Sequence, residues 1–179
     1  EISHGFDPLG NLFNYNGTLT QTWTNYTLNE YNKRMDCFIE HYNNIQVNGI
    51  NDTDNVLYVN GTNSITENVA DNAGVQESYK AWKQYINEYS DNMDDVKLPG
   101  IELTNEQLFW IGFTRTRCDV WTTNFYDDKI TTEGDYYWNH SPRLARAVGV
   151  IQNSQAFADA FNCPVGSPMN PLNKCVLWE

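Results

Sequence analysis

Apolar side chains recur at intervals of three and four residues in five stretches of the chain, and this spacing predicts amphipathic helices. The first predicted helix begins at Thr27, which pairs with Glu30 as a capping box, and reaches Tyr42. A second capping box pairs Thr104 with Gln107. The remaining predicted helices run from 67 to about 89, from 104 toward 118, from 141 to about 152 with Ser141-Pro142 as N-cap and first-turn proline, and from 154 to 161.

Two segments between these helices are rich in Asn, Gly and Thr and are predicted to be irregular. They cover residues 10–26 and 43–66. Within the second, apolar and polar residues alternate around Ile45-Gln46-Val47 and Val56-Leu57-Tyr58-Val59, which predicts a brief β-hairpin. The pattern as a whole predicts a mainly α protein with a minor β-hairpin.

Composition narrows the class of protein. With 179 residues and 40% hydrophobic side chains, the chain is long enough for one domain with its own core. The net charge of -12 argues against nucleic acid or an anionic membrane surface as a partner. No apolar run approaches the length of about 18 residues that a membrane span needs. Because neither an initiating Met nor a signal peptide is present, we expect a processed or excised piece of a longer protein.

Cysteines and glycosylation sequons both predict a secreted or cell-surface protein. The chain has 4 cysteines, an even number that suits disulfides and allows three pairings. Neither a CxxC motif nor a His-Cys cluster is present, which disfavours a structural zinc site. The sequons begin at Asn16, Asn25, Asn51, Asn60 and Asn139.

The first candidate for chemistry is the opening Glu1-Ile2-Ser3-His4. Glu1 and His4 have the spacing of the last four residues of His-Glu-x-x-His, in which two histidines bind zinc and the Glu acts as base. The first His would immediately precede Glu1, outside this chain. Taken alone, the pair is weak evidence for zinc and favours the ordinary interpretation, a terminal charge and a surface or core histidine.

Two further clusters of polar residues follow. Glu67 and Asp71 lie four residues apart at the start of a predicted helix, so both carboxylates share one face. They could simply favour the helix N-terminus, or Glu67 could bind zinc while Asp71 orients a ligand histidine. His140 and Arg146 lie in the segment HSPRLAR. They could belong to ordinary helix capping and a solvated basic patch, or they could form a cationic site that binds a peptide carbonyl or an oxyanion.

Taken in order, these motifs resemble the C-terminal part of the neprilysin and endothelin-converting-enzyme family of zinc metalloendopeptidases, gluzincins with a thermolysin-like catalytic core. The matching segments reach from residue 1 to 179, which the resemblance identifies as the C-terminal segment of a catalytic ectodomain. They are EISHGFD, ENVAD, LPG followed by LTNEQLFWIGF, HSPRLARAVGVIQNSQAFADAFNCPVGSPMNP, and KCVLW.

The resemblance implies a role for each candidate residue. Glu1 is implied as the general base. His4 and Glu67 are implied as ligands of Zn²⁺, with acidic residues beyond them that hold the zinc histidines. His140 is implied to stabilise the tetrahedral intermediate, and Arg146 to position the substrate backbone. The supporting acidic residues are Asp7 and Asp71.

The resemblance also implies how the cysteines pair. Cys37 and Cys175 are implied to bridge each other, whereas Cys118 and Cys163 are implied to pair with cysteines of the ectodomain that this chain lacks. The chain departs from the family in lacking the first zinc histidine and the upstream substrate-binding strand. It also has Arg117 where the family commonly has Trp in a specificity pocket.

We therefore expect a zinc endopeptidase that cleaves oligopeptides on the amino side of bulky apolar residues. The N-terminal remainder of the ectodomain and peptide substrates are the expected partners, and a homodimer or larger extracellular complex is left open. A second hypothesis is an inactive family member that serves as a structural or antigenic surface glycoprotein. A third, a disulfide-stabilised binding module unrelated to peptidases, would require the match of five segments to be coincidence.

Overall fold

The computed structural model describes residues 2–47, 56–89, 97–120, 122 and 139–178. Within these residues the chain is mainly helical, and its only β-structure is two isolated antiparallel bridges, Phe13 with Leu19 and Gln46 with Tyr58. Two 3-10 helices, Ile2–Phe6 and Gly10–Leu12, open the chain. Five α-helices follow: α1 Asn25–Asn43, α2 Ile65–Tyr89, α3 Asn105–Arg115, α4 Arg143–Gln152 and α5 Gln155–Ala160.

Helix α1 begins earlier than the capping-box pattern predicts. Thr24 is the N-cap, because its side chain accepts a hydrogen bond from the Thr27 amide, so the predicted start at Thr27 is wrong. Glu30 is instead paired with Lys33 on the exposed face. The apolar spacing is confirmed: Tyr31, Met35, Phe38 and Tyr42 form the buried stripe.

Helix α2 begins at Ile65 rather than Glu67, and only its N-terminal part is deeply buried. Val69 and Ala73 enter the core, whereas the second half of the helix is largely exposed apart from Ile86. There Tyr79 packs on Phe109 and Trp110 of α3. The half of α2 that carries Glu67 and Asp71 is therefore the half that the core holds.

The predicted cap of α4 is wrong, although its C-terminal bound is confirmed. Pro142 is the N-cap and has no side-chain capping bond, and the helix begins at Arg143. The Ser141 hydroxyl is instead directed to Asn68 and Ser64, where it is buried. The capping box of Thr104 and Gln107 on α3 is present as predicted.

The predicted hairpin is reduced to one bridge with two flanking backbone hydrogen bonds. The Val47 amide donates to the Leu57 carbonyl at 2.8 Å, and the Val59 amide donates to the Ile45 carbonyl at 3.1 Å. The connecting residues 48–55 lie outside the described part of the chain. Val47 and Val59 nevertheless join the core of α1 and α2.

The core lies where α2 packs against α1, α4 and the first 3-10 helix. Phe38, Tyr42, Val69 and Ala145 have no exposed surface, and a Cys37–Cys175 disulfide ties the C-terminal segment to α1. None of the helices in the described ranges is long and apolar enough to cross a bilayer. This core brings residues 4, 67, 71, 140 and 146 to one face.

Candidate active site

His4 is held between two carboxylates. Its Nδ1 lies 2.7 Å from Asp7 Oδ2, and its Nε2 lies 3.5 Å from Glu67 Oε2. Asp7 is only 3% exposed, and its other oxygen accepts hydrogen bonds from the Leu9 and Gly10 amides. Because Nδ1 donates to this fixed carboxylate, the Nε2 lone pair is presented toward Glu67.

The 3-10 helix that carries His4 is anchored on both sides. The Ser3 hydroxyl donates to the Ala70 carbonyl of α2 at 3.1 Å. The Tyr31 hydroxyl of α1 donates to the Phe6 carbonyl at 3.0 Å. These two bonds fix the short segment against both helices, so the imidazole position does not depend on one contact.

The separation of His4 Nε2 and Glu67 Oε2 fits two ligands of a single zinc ion. Two atoms that each lie about 2.1 Å from a tetrahedral zinc ion are about 3.4 Å apart. Nitrogen and carboxylate oxygen are both common zinc donors. Among the described residues, no group of three His, Cys, Asp or Glu side chains completes a metal site. His4 and Glu67 therefore have the spacing of two zinc ligands, and a tetrahedral site would need further donors.

His140 approaches the same carboxylate from the other side. Its Nε2 lies 2.9 Å from Glu67 Oε2, and its side chain is half-exposed. Glu67 is mostly buried, at 17% side-chain exposure. An imidazole that faces solvent beside a carboxylate can donate to an oxygen of a molecule bound there.

Asp71, one turn beyond Glu67 on α2, is bound by two arginines. Arg146 forms a bidentate pair with it, Nε to Oδ2 at 2.6 Å and Nη2 to Oδ1 at 2.8 Å. Arg117 Nη2 adds a contact to Oδ1 at 3.1 Å. The hydrogen bond with Asp71 raises the pKa of Arg146 above its ordinary value, so this guanidinium stays charged. Two cations on one anion leave surplus positive charge one helical turn from Glu67.

The structure thus brings together every described residue of the predicted site. Glu1 lies outside the described residues, and its role as base stays a prediction. Asp71 contacts two arginines, and its predicted contact with a zinc-ligand histidine stays a prediction. Sequence reasoning missed the bond from Arg117 to Asp71, because Arg117 was singled out only as a departure from the family.

The cysteines and sequons can also be placed. Cys37 and Cys175 form the disulfide that the resemblance implies. Cys118 is an exposed free thiol and Cys163 a partly exposed one, so their pairing with cysteines elsewhere stays a prediction. Asn51 lies outside the described residues, and the other four sequon residues are exposed: Asn16, Asn25, Asn60 and Asn139.

Comparison with known proteins identifies the family. The sequence profile of peptidase family M13 matches residues 1–177. The chain belongs to peptidase family M13. Neprilysin-1 of Caenorhabditis elegans is 40% identical over 179 residues, covering 99% of this chain and 22% of that protein. Human endothelin-converting enzyme 1 is 35% identical over 178 residues, covering 99% of this chain and 21% of that protein. The resemblance to the neprilysin and endothelin-converting-enzyme family is confirmed.

The fold comparison agrees with the M13 assignment. The crystal structure of the Mycobacterium tuberculosis zinc metalloprotease ZMP1 in complex with an inhibitor superposes with a TM-score of 0.82 at 25% identity. That match covers 100% of this chain and 26% of the other. The mainly helical, metalloprotease fold class is thereby confirmed. The chain spans about a fifth of the length of the curated M13 relatives described above.

Proposed function

We propose that this chain is the C-terminal segment, residues 1–179, of the catalytic ectodomain of a zinc-dependent endopeptidase. The observation that carries the proposal is the 3.5 Å separation between His4 Nε2 and Glu67 Oε2, with His140 2.9 Å from the same Glu67 oxygen. A base, two ligands and an oxyanion donor are the parts that metal-assisted peptide hydrolysis needs. Membership of peptidase family M13 supports the same reaction class.

His4 and Glu67 would hold the zinc ion, with a third ligand from the histidine expected immediately before Glu1. Asp7 keeps His4 in the tautomer whose Nε2 is free to bind metal. A zinc ion bound there supplies a Lewis acid and lowers the pKa of bound water toward neutrality. The chain's own contribution is to fix the donors, because rigid ligands select the coordination geometry.

Glu1 would move the proton and His140 would meet the developing charge. In this mechanism Glu1 accepts a proton from the attacking water and later passes it to the leaving amine. His140 donates a hydrogen bond to the oxygen of the scissile carbonyl as negative charge builds on it. The half-exposed imidazole of His140 leaves room for a bound peptide.

Arg146 would orient the substrate. Its guanidinium is locked on Asp71 through two short bonds and lies in the second half of the first turn of α4. A charge fixed in this way can bind a peptide carbonyl without first losing side-chain freedom. We propose oligopeptides as substrates, cut on the amino side of bulky apolar residues as the family resemblance implies.

The setting we propose is extracellular, as a secreted protein or the ectodomain of a single-pass membrane protein. The four exposed sequon residues and the Cys37–Cys175 disulfide support an oxidising compartment. The principal partner is the N-terminal remainder of the same ectodomain, and a homodimer or larger extracellular complex remains compatible with the exposed surface.

The test uses the full-length protein with a short fluorogenic peptide and elemental analysis. We expect about one zinc per protein, and hydrolysis that a chelator abolishes. Glu1→Gln should retain zinc and lose activity by about 10²- to 10⁴-fold, because it removes only the base. Glu67→Ala should lose zinc and activity together.

Glu77→Ala is the matched control on the same helix. Glu77 is exposed and pairs only with Lys80 among the described residues, so this variant should keep both zinc and activity. Full activity of Glu1→Gln would contradict the mechanism. Absence of zinc and activity from the wild-type protein would favour the alternative, an inactive structural or antigenic surface glycoprotein.

A further inference from the structure

The residue after His140 is among the most buried polar residues of the chain. Ser141 is 3% exposed, and its hydroxyl donates to Asn68 Oδ1 at 2.7 Å. It also lies 3.0 Å from Ser64 Oγ. A serine that precedes a helix usually caps it, whereas here the hydroxyl is turned inward, toward the start of another helix.

The three side chains form a closed hydrogen-bonded set, which we call the Ser141 clamp: Ser64, Asn68 and Ser141. Asn68 has no exposed surface; its Nδ2 donates to Ser64 Oγ at 2.9 Å while its Oδ1 accepts from Ser141. The Ser64 hydroxyl proton goes to the Asn60 carbonyl at 2.9 Å. Each of the two hydroxyl protons thus has an acceptor. A buried hydrogen-bond network in which every donor is paired favours a single arrangement of its side chains.

The Ser141 clamp joins the chain neighbours of two proposed catalytic-site residues. Asn68 directly follows Glu67, and Ser141 directly follows His140. We propose that Ser141 is a positioning residue for His140, and that its bond to Asn68 sets the distance between the His140 imidazole and Glu67. This inference rests on the proposed function and adds a residue that acts through His140.

His140 needs such support, because little else in the described chain holds it. Its side chain is 53% exposed, and within the described part of the chain its polar contact is with Glu67 Oε2 at 2.9 Å. The helix beyond it, α4, begins at Arg143, and its N-cap Pro142 makes no side-chain capping bond. Loss of the Ser141 bond would free the backbone at the point where it leaves the core. A displacement of about 1 Å at a catalytic group can cost up to about 10²-fold in rate.

The first experiment compares Ser141→Ala with Ser141→Thr in the full-length protein. Ser141→Ala should lower kcat about tenfold with KM within about twofold, because the His140 contact strengthens in the transition state. Ser141→Thr keeps the hydroxyl and suits the extended backbone before a proline, so it should restore most of kcat. Ser141→Ala also removes the sequon at Asn139, and Asn139→Gln is the control that removes the sequon alone. It should leave kcat within about twofold.

The second experiment separates positioning from stability. In a His140→Ala background, Ser141→Ala should no longer lower kcat, since its effect passes through the missing imidazole. Asn153→Ala breaks buried bonds to Asn72 and the Cys175 amide, away from the Ser141 clamp. It should lower thermal stability, like Ser141→Ala, but leave kcat of the folded protein within about twofold.

The outcomes distinguish a failure of the positioning role of Ser141 from a failure of the proposed peptidase function. If wild type is an active zinc peptidase and Ser141→Ala costs the same factor with and without His140, the positioning inference is wrong and the proposed function stands. If wild type has no chelator-sensitive activity, the proposed function itself fails. If Ser141→Ala does not fold, the same cycle is run with Ser64→Ala, for which we expect a loss of about threefold that His140→Ala abolishes.

Discussion

Glu67 and Asp71 share one face of α2 yet have different chemical surroundings. Glu67 faces two imidazoles, those of His4 and His140. Asp71 faces two guanidiniums that cannot lose their charge. Among the described residues, Glu67 therefore contacts no guanidinium, whereas Asp71 is paired with two and acts as an anchor for Arg146.

Gly149 allows α4 to lie directly on α1. A Cβ added at Gly149 would stand 2.6 Å from two atoms of the Tyr42 ring, which is fully buried. We predict that Gly149→Ala lowers the free energy of unfolding by about 1–3 kcal/mol, because the Tyr42 ring has no space to move into. Urea denaturation of the full-length protein measures the change.

Gly112→Ala is the matched control for this prediction. Gly112 also lies inside a helix, α3, but an added Cβ there meets nothing within 4 Å. Because alanine is the better helix former, this variant should gain about 0.5–1 kcal/mol. Equal effects of the two substitutions would show that helix propensity, not the Tyr42 contact, determines the cost at Gly149.

At the scale of elements, His41 links α1 to α4. Its Nε2 donates to the Gly149 carbonyl at 2.9 Å, and burial lowers the pKa of its imidazole below the ordinary 6.5, an effect that the hydrogen bond partly opposes. The folded state therefore holds His41 neutral at a pH where the unfolded chain already binds a proton. The stabilising contribution is complete above about pH 6.5 and is lost as the pH falls toward the lowered pKa.

The lowered pKa of His41 predicts how His41→Gln changes the pH dependence of the free energy of unfolding. The free energy of unfolding of the wild type should fall more between about pH 7.5 and about pH 5.5 than that of His41→Gln, whose side chain does not titrate. Both proteins retain His4 and His140, so those residues cancel in the comparison. Urea titrations at the two pH values test the prediction, and an equal loss in both proteins would contradict it.

The helices show which parts of the fold the sequence could predict. Apolar spacing predicts each of the five α-helices found in the described residues, since burial of one face is a property of the local sequence. The cap at Thr104 was predictable because donor and acceptor lie three residues apart. That Ser141 would not cap α4 could not be predicted. Its hydroxyl donates to Asn68, 73 residues away in the chain, and no local pattern encodes that contact.

The predicted site shows the same difference between residues within local motifs and contacts between distant positions. That His4, Glu67, His140 and Arg146 lie close together could be predicted, because they belong to short motifs that recur in a family. The contact of Arg117 with Asp71 could not, since it joins positions 46 residues apart that belong to no shared motif. Long-range polar contacts depend on how the helices pack, and packing is decided by the whole chain.

At the scale of the whole molecule, the disulfide ties the end of the chain to its first helix. Cys37 and Cys175 are 138 residues apart, and a cross-link over a loop of this length stabilises a fold by up to about 5 kcal/mol in the chain-entropy account. The disulfide also fixes the C-terminal segment, in which the Cys175 amide donates a hydrogen bond to Asn153. It therefore stabilises the same core that brings the site residues together.

Cys118 and Cys163, which are not paired with each other, could cross-link this segment to the rest of the protein. In an oxidising compartment, an exposed thiol such as Cys118 is expected to find a partner, and an M13 relative extends over more than four times the length of this chain. We predict that non-reducing peptide mapping of the full-length protein links Cys37 to Cys175, and links Cys118 and Cys163 each to a peptide outside these 179 residues. The Cys37–Cys175 link is the internal control, because both of its peptides lie within the chain. A Cys118–Cys163 link, or two free thiols, would contradict the prediction and would mean that neither cysteine cross-links this segment to the remainder of the protein.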